Sequence, residues 1–167
     1  MVIHKRLAVI PFFVLMIIVI LSLFYNTSSP QTSTQIIDTG DTAWMLMASA
    51  LVLIMTPGLA FFYGGMVSKK NVISTMLQSF ICMAVITILW VVVGFSLSFG
   101  ESIGGVIGNP FTYFLMHGVL DSKPWVAAPT IPFVIFAFFQ LKFAIITPAL
   151  ITGAIAERIK FLSYILF

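Results

Sequence analysis

Phe139-Gln140-Leu141-Lys142-Phe143-Ala144-Ile145-Ile146-Thr147-Pro148-Ala149-Leu150-Ile151-Thr152-Gly153-Ala154-Ile155-Ala156-Glu157 is the stretch on which the reading of this chain turns. Together with the residues from position 131 it is long enough to cross a hydrocarbon core, which takes about 20 helical residues. Two phenylalanines stand one helical turn apart, and Lys142 sits beside the second. An ionisable residue near the middle of a membrane helix ordinarily faces protein or water. Aromatic rings near the mouth of such a helix attract cations. The segment points to passage of a small cationic solute.

Working outward, 60% of the residues are hydrophobic, 8% are charged and the mean hydropathy is +1.15. Soluble domains carry about 25% charged residues, so this chain could not cover itself with polar surface and is an integral membrane protein. The net charge of +3 and pI near 9.2 do not indicate nucleic acid. The basic residues form short clusters beside apolar runs, the pattern of a topology signal. Cys82, the single cysteine, excludes an internal disulfide and a cysteine-based zinc cluster, and reads as a packing residue. There is no repeat of solenoid period and no Walker-type phosphate loop. No enzyme activity, metal or cofactor is expected.

Residues 7–25 are apolar and follow His4, Lys5 and Arg6; a Ser/Thr-rich stretch follows them. This is a signal peptide or a signal anchor, and residues 1–37 are set apart as that leader with its polar linker. The Asn26-Thr27-Ser28 sequon lies too near the apolar run to carry weight. Residues 41–67 form the next span, with Asp38 and Asp41 before it, Ser68, Lys69 and Lys70 after it, and a kink expected at Pro57. Residues 72–99 form another. Residues 100–130 are less regular, and within them 111–120 are too short to span and should lie against the protein at the membrane surface. Residues 131–156 close the set, ended by Glu157-Arg158-Ile159-Lys160, and 161–167 begin a further apolar run. The expected fold is therefore all-α, a polytopic transmembrane bundle, because helices satisfy their own backbone in lipid. Residues 38–167 are read as a partial domain with three complete core helices and the start of a fourth, in an amino-terminal fragment.

Charge orients it. With the amino terminus inside, Lys5, Arg6, Lys69, Lys70, Arg158 and Lys160 are cytoplasmic, and Asp38, Asp41, Glu101 and Asp121 are external, with Lys123 the external cation. Loops 68–71 and 157–160 are then cytoplasmic, and the residues after the leader are external.

Three stretches, in order and spacing, carry a resemblance. The first is Asp41-Thr42-Ala43-Trp44, then Thr56-Pro57-Gly58-Leu59-Ala60-Phe61-Phe62-Tyr63-Gly64-Gly65, then Lys70-Asn71-Val72. The second is Leu89-Trp90-Val91-Val92-Val93-Gly94-Phe95-Ser96-Leu97-Ser98-Phe99-Gly100, and the third runs from Phe139-Gln140 to Ala156-Glu157-Arg158. From Asp38 onward the chain resembles the ammonium transporter family (Amt/MEP/Rh), in its Amt branch. The resemblance implies an eleven-helix, inverted-repeat fold and a plasma-membrane homotrimer in nitrogen uptake. Each subunit would have its own pore for ammonium or ammonia, with methylammonium as analogue and deprotonation of NH4+ as part of the mechanism. By the same resemblance Phe143 matches an outer gate, with Phe139 and Gln140 beside it. Leu59, Phe62, Tyr63 and Leu150 match positions lining the narrow path and inner vestibule. The paired pore histidines, the second gate phenylalanine and the tryptophan of the outer cation site match positions beyond Phe167; His4 and His117 are not those histidines. A PII-type regulator is the implied cytoplasmic partner.

Physical reasoning stands beside this. Cation–π contacts return about 0.5–2 kcal/mol each when desolvated, against several kcal/mol for taking an ion out of water. A phenylalanine-gated apolar pore therefore excludes intact cations and passes a neutral species more easily. Phe136, Phe139, Gln140, Phe143 and Thr147 fall on one helical stripe. Leu59, Phe62 and Leu150 are explained almost as well by packing. Gly58, Gly64, Gly65, Ala149 and Gly153 read as close-approach positions, Thr56-Pro57 and Thr147-Pro148 as kinks with a hydroxyl serving freed backbone, and Trp90 and Trp125 as packing or interface anchors. Lys142 lies about 100° round the helix from Phe143 and about 60° from Phe139. It either faces a trimer interface and snorkels, or sits near the gate and tunes entry. The expected function is ammonium transport; the alternatives are an ammonium sensor of the same fold signalling through a partner, or an inactive truncated product.

Overall fold

The computed structural model describes Ile17 and residues 36–121, 123–159 and 161–166; Ile17 apart, the leader expected over residues 1–37 lies outside the described residues up to position 35. Helix α1 spans Thr39–Met66. Its start is fixed by Asp38, whose extended backbone and side-chain carboxylate cap the Asp41 N–H at 2.9 Å, while Thr42 Oγ1 donates to the Asp38 carbonyl at 2.7 Å. A 3-10 turn, Lys69–Asn71, leads into α2 (Val72–Leu89), a π turn (Trp90–Gly94) and α3 (Phe95–Phe99). Two short antiparallel hairpins follow, β1 (Ser102–Ile103) with β2 (Ile107–Gly108), and β3 (Pro124–Trp125) with β4 (Ala128–Pro132). Helix α4 covers Phe133–Ile155 and α5 covers Phe161–Leu166. The residues expected to open the third span at Ile131 and Pro132 thus belong to β4.

Three helical stretches, Thr39–Met66, Lys69–Phe99 and Phe133–Ile155, are long and apolar enough to cross a membrane, and they pack on one another. Helix α4 buries Phe133, Ala137, Leu141, Ile145, Ala149 and Thr152, residues three or four apart on one face. Helix α1 buries only Thr56, Ala60 and Gly64, again four apart, and leaves Trp44, Leu51, Ile54 and Phe61 exposed. In water that face would be costly; in lipid, chains as apolar as leucine meet it without penalty.

The small residues divide. A Cβ at Gly64 would meet Met76 Cγ at 2.9 Å, and one at Gly153 would run into the Tyr63 ring, so both mark close helix approach; Ala149 is fully buried. Gly58 and Gly65 have nothing within 4 Å and hold no contact open. The Thr-Pro expectation is not met at either site. Thr147 Oγ1 donates to the Phe143 carbonyl at 2.8 Å and not to the Ala144 carbonyl that Pro148 leaves without its helical donor, and the fully buried Thr56 hydroxyl has no hydrogen-bond partner.

The loop end is an aromatic core. Phe95, with no exposed surface, touches the rings of Trp90, Phe99, Tyr113 and Phe133 at centroid distances of 5.2–5.7 Å, and Trp125 stacks on Phe133 at 5.2 Å. Residues 111–120 therefore do more than lie at a surface. Tyr113, Met116 and Val119 are buried with Phe95 and Phe133, and the Tyr113 N–H donates to Ser96 Oγ at 2.9 Å. Leu115 and Met116 take left-handed backbone, φ 51° and 61°, to make that turn. At this end the Asp38 N–H reaches the Thr130 carbonyl at 2.8 Å. At the other end Ser68 and Asn71 meet Glu157. The described acidic residues other than Glu157 gather with the hairpins; Lys69, Lys70 and Arg158 gather opposite.

Candidate functional site

On α4 the Phe139 and Phe143 rings stand edge to face, centroids 5.1 Å apart and planes at 74°. This is the favoured geometry for quadrupolar rings. Phe143, 42% exposed, faces an open groove of about 420 Å³ lined by Gln140, Phe143, Ala144, Thr147 and Pro148 from α4, and by Trp90, Ser98 and Phe99 from the helix beside it. The groove walls are aromatic, and Gln140, Thr147 and Ser98 supply the polar side chains among them. Thr147 already spends its proton on the Phe143 carbonyl, so its oxygen remains as an acceptor toward the groove. Such an arrangement offers a small ammonium-like cation ring faces and hydrogen-bond acceptors together.

Trp90 was expected to be a packing anchor. It does pack, against Phe95 and Phe99, with its indole N–H on the Ala137 carbonyl at 3.3 Å. It also lines the groove. Trp90 itself continues α2 with helical backbone, and the π turn that it opens shifts the residues after it, Ser98 and Phe99 among them. The Trp-Val-Val-Val-Gly run carried only a faint signal of this: β-branched residues crowd a helix, and at Gly94 a Cβ would lie 3.3 Å from the Leu89 carbonyl oxygen.

A second locus lies about 10 Å further along α4, the rise of seven residues. Tyr63 Oη donates to the Leu150 carbonyl at 3.0 Å and its ring covers Gly153. Phe62 and Tyr63 rings are 5.5 Å apart. Phe62 and Leu150 are exposed, and Leu59 is half-buried. The residues expected to line a path thus fall in two places, Gln140 and Phe143 at the groove and Tyr63 with Leu150 below it; Phe139 does not line the groove and touches it only through the Phe143 ring.

Lys142 lines neither. Its Nζ lies 5.8 Å from the centroid of the Phe138 ring, one turn back on the same helix and away from the Gln140–Thr147 side. His117 is exposed in the loop between the hairpins, and no group of three or more potential metal ligands occurs among the described residues.

At the far end the carboxylate of Glu157, which the sequence marked only as the close of a span, accepts the Ser68 N–H at 2.9 Å, the Ser68 hydroxyl at 2.5 Å and the Asn71 amide at 2.8 Å. The Ser68 hydroxyl, then Asn71 and the Ser68 N–H, hold its carboxyl at about 2. Lys70-Asn71 and Ala156-Glu157-Arg158 were each quoted from sequence, but nothing in either string says that they touch.

Fold and site together define a multi-span α-helical membrane protein with an aromatic, acceptor-bearing cleft between its helices. Residues 43–167 match the model of the Ammonium Transporter Family, and the chain belongs to that family. It is similar to the "Ammonium transporter" of Mycobacterium tuberculosis, 48% identical in an alignment of 143 positions that covers 78% of this chain and 30% of the relative. It is also similar to that of Aquifex aeolicus (46% identical; 89% of this chain, 34% of the relative) and that of Bacillus subtilis (44%; 77% and 31%). The chain spans about a third of the length of the curated relatives it matches.

Proposed function

We propose that this chain supplies part of the conduction path of an ammonium transporter, with Phe143 and Phe139 as the outer gate, Gln140 beside them, and Tyr63, Leu59, Phe62 and Leu150 along the inner path. The observation that carries the reading is Phe143 on the wall of the Trp90-lined groove, with the Phe139 ring set edge to face against it from behind. Ring faces and acceptor oxygens there draw ammonium from water. Two or three such contacts return a few kcal/mol at most, less than the cost of carrying the ion on into an apolar path. The species that crosses is therefore ammonia, after a proton is given up. No basic side chain is among the described residues that line the groove, and proton removal is left to other residues than these. A homotrimer in the plasma membrane, with the Lys69, Lys70 and Arg158 end cytoplasmic and open to a PII-type regulator, completes the reading.

The test is a chimera in which residues 43–167 replace the matching part of the Aquifex aeolicus relative, assayed for methylammonium uptake. Phe143→Ala should raise the half-saturation concentration about 2- to 30-fold, the equivalent of 0.5–2 kcal/mol. An unchanged value would remove Phe143 from the path.

A further inference from the structure

We propose that Glu157 is a positioning residue: its carboxylate clasps the turn between α1 and α2 to the inner end of α4, and so sets the width of the α1–α4 cleft below Tyr63. Helix α1 has ended at Val67, where ψ is 165°, and the next helical turn begins only at Lys69. The Ser68 N–H is thus one of the donors that a helix start leaves unpaired, and the Ser68 side chain does not cap that turn. The acceptor comes instead from 89 residues away: Glu157 Oε1 takes the Ser68 N–H, the Ser68 hydroxyl and the Asn71 amide, and Asn71 Nδ2 also reaches Ser68 Oγ at 3.0 Å. Backbone alone would not choose glutamate there. Glu157 has φ 62°, in the left-handed region that favours glycine, at a cost of order 1–3 kcal/mol. Its place is explained by what the side chain holds.

The clasp closes one end of a cleft of about 190 Å³ lined by Tyr63, Met66, Val67, Gly153, Ala156 and Glu157. The Tyr63–Leu150 hydrogen bond closes the other. On its far side Glu157 also walls a second cleft, of about 270 Å³, with Asn71, Ser74, Thr75, Gln78 and Arg158. Two ties, one neutral and one charged, therefore fix α1 against α4 beside the residues assigned above to the inner path. Of the described cations, Lys70 adds attraction to the carboxylate and Arg158 lines the same cleft as Glu157. The donors keep the group ionised down to about pH 2, so the clasp does not open in the physiological range.

Hydrogen exchange of the full 167-residue chain in lipid nanodiscs tests the clasp without reference to transport. Glu157→Ala should speed exchange at residues 68–72 and at Gly153 by about ten-fold. Glu157→Gln, which keeps an acceptor oxygen, should fall between it and the wild type. The reciprocal pair Glu157→Gln with Asn71→Asp, which exchanges amide and carboxylate across the contact, should return exchange toward wild type. Unaltered exchange in Glu157→Ala overturns the clasp. In the uptake chimera, Glu157→Ala should lower the maximal rate about five-fold or more with the half-saturation concentration within about two-fold, as expected when a transport step and not substrate capture is disturbed, and the reciprocal pair should restore it. Faster exchange with wild-type uptake overturns the positioning role. Should Glu157→Ala fail to fold, Glu157→Gln and the reciprocal pair decide: a pair no better than the single change overturns the proposal. A wild-type chimera with no uptake counts against the proposed function, and the exchange experiment then decides the clasp.

Discussion

Gly153 and Lys142 show how differently two residues of one helix can bear on the cleft. A methyl group at Gly153 would strike the Tyr63 ring. Overpacking costs about 1–3 kcal/mol, while glycine-to-alanine in a helix gains up to about 1 kcal/mol. Gly153→Ala should therefore lower stability by about 1–2 kcal/mol, whereas Gly65→Ala, with nothing within 4 Å, should be neutral or stabilising; thermal unfolding in detergent compares them. Lys142 turns to Phe138 instead of the groove. Lys142→Met should leave methylammonium uptake and its selectivity within about two-fold of wild type, because the half-buried Lys142 is held against the Phe138 ring and does not line the groove. A larger change in uptake would make it a gate residue.

At the scale of elements, the aromatic cap is what holds the loop end together. Phe95 has no exposed surface and touches four rings, so Phe95→Ala should cost about 3–5 kcal/mol and Phe95→Leu clearly less; denaturant titration in micelles reads the difference. The three spans were legible because length and hydropathy alone define them, and the family was legible because the Thr-Pro-Gly-Leu-Ala-Phe-Phe-Tyr-Gly-Gly string is long. The cap was not. Residues 100–130 looked irregular because their strands are two to five residues long and take their stability from an aromatic cluster that joins Trp125 to Phe95 and Phe133, residues on two helices 38 positions apart. The same reason hid part of the site. Phe139 and Phe143 could be paired by helical spacing, but Ser98 and Phe99 reach the groove beyond a π turn, and Glu157 meets Ser68 across 89 residues. Neither relation has a local period to betray it.

For the whole molecule, charge separates along the axis that the three spans share. Asp38, Asp41, Glu101 and Asp121 lie with the hairpins, and Lys69, Lys70 and Arg158 lie at the clasp. The positive-inside rule is the ground for the proposal that the clasp end faces the cytoplasm. A membrane-impermeant thiol reagent should label Asp121→Cys and not Lys70→Cys in intact cells, in a Cys82→Ser background; the reverse pattern would invert the molecule. The exposed apolar face of α1 then meets lipid or further helices. The most direct measurement is methylammonium uptake by cells lacking their own ammonium uptake and carrying the chimera with residues 43–167 of this chain. Saturable uptake that intact potassium ions do not inhibit, and that weakens when Phe143 becomes alanine, is the predicted result. Uptake that potassium competes away, or none from a correctly inserted chimera, would contradict an aromatic-gated path for ammonium through these helices.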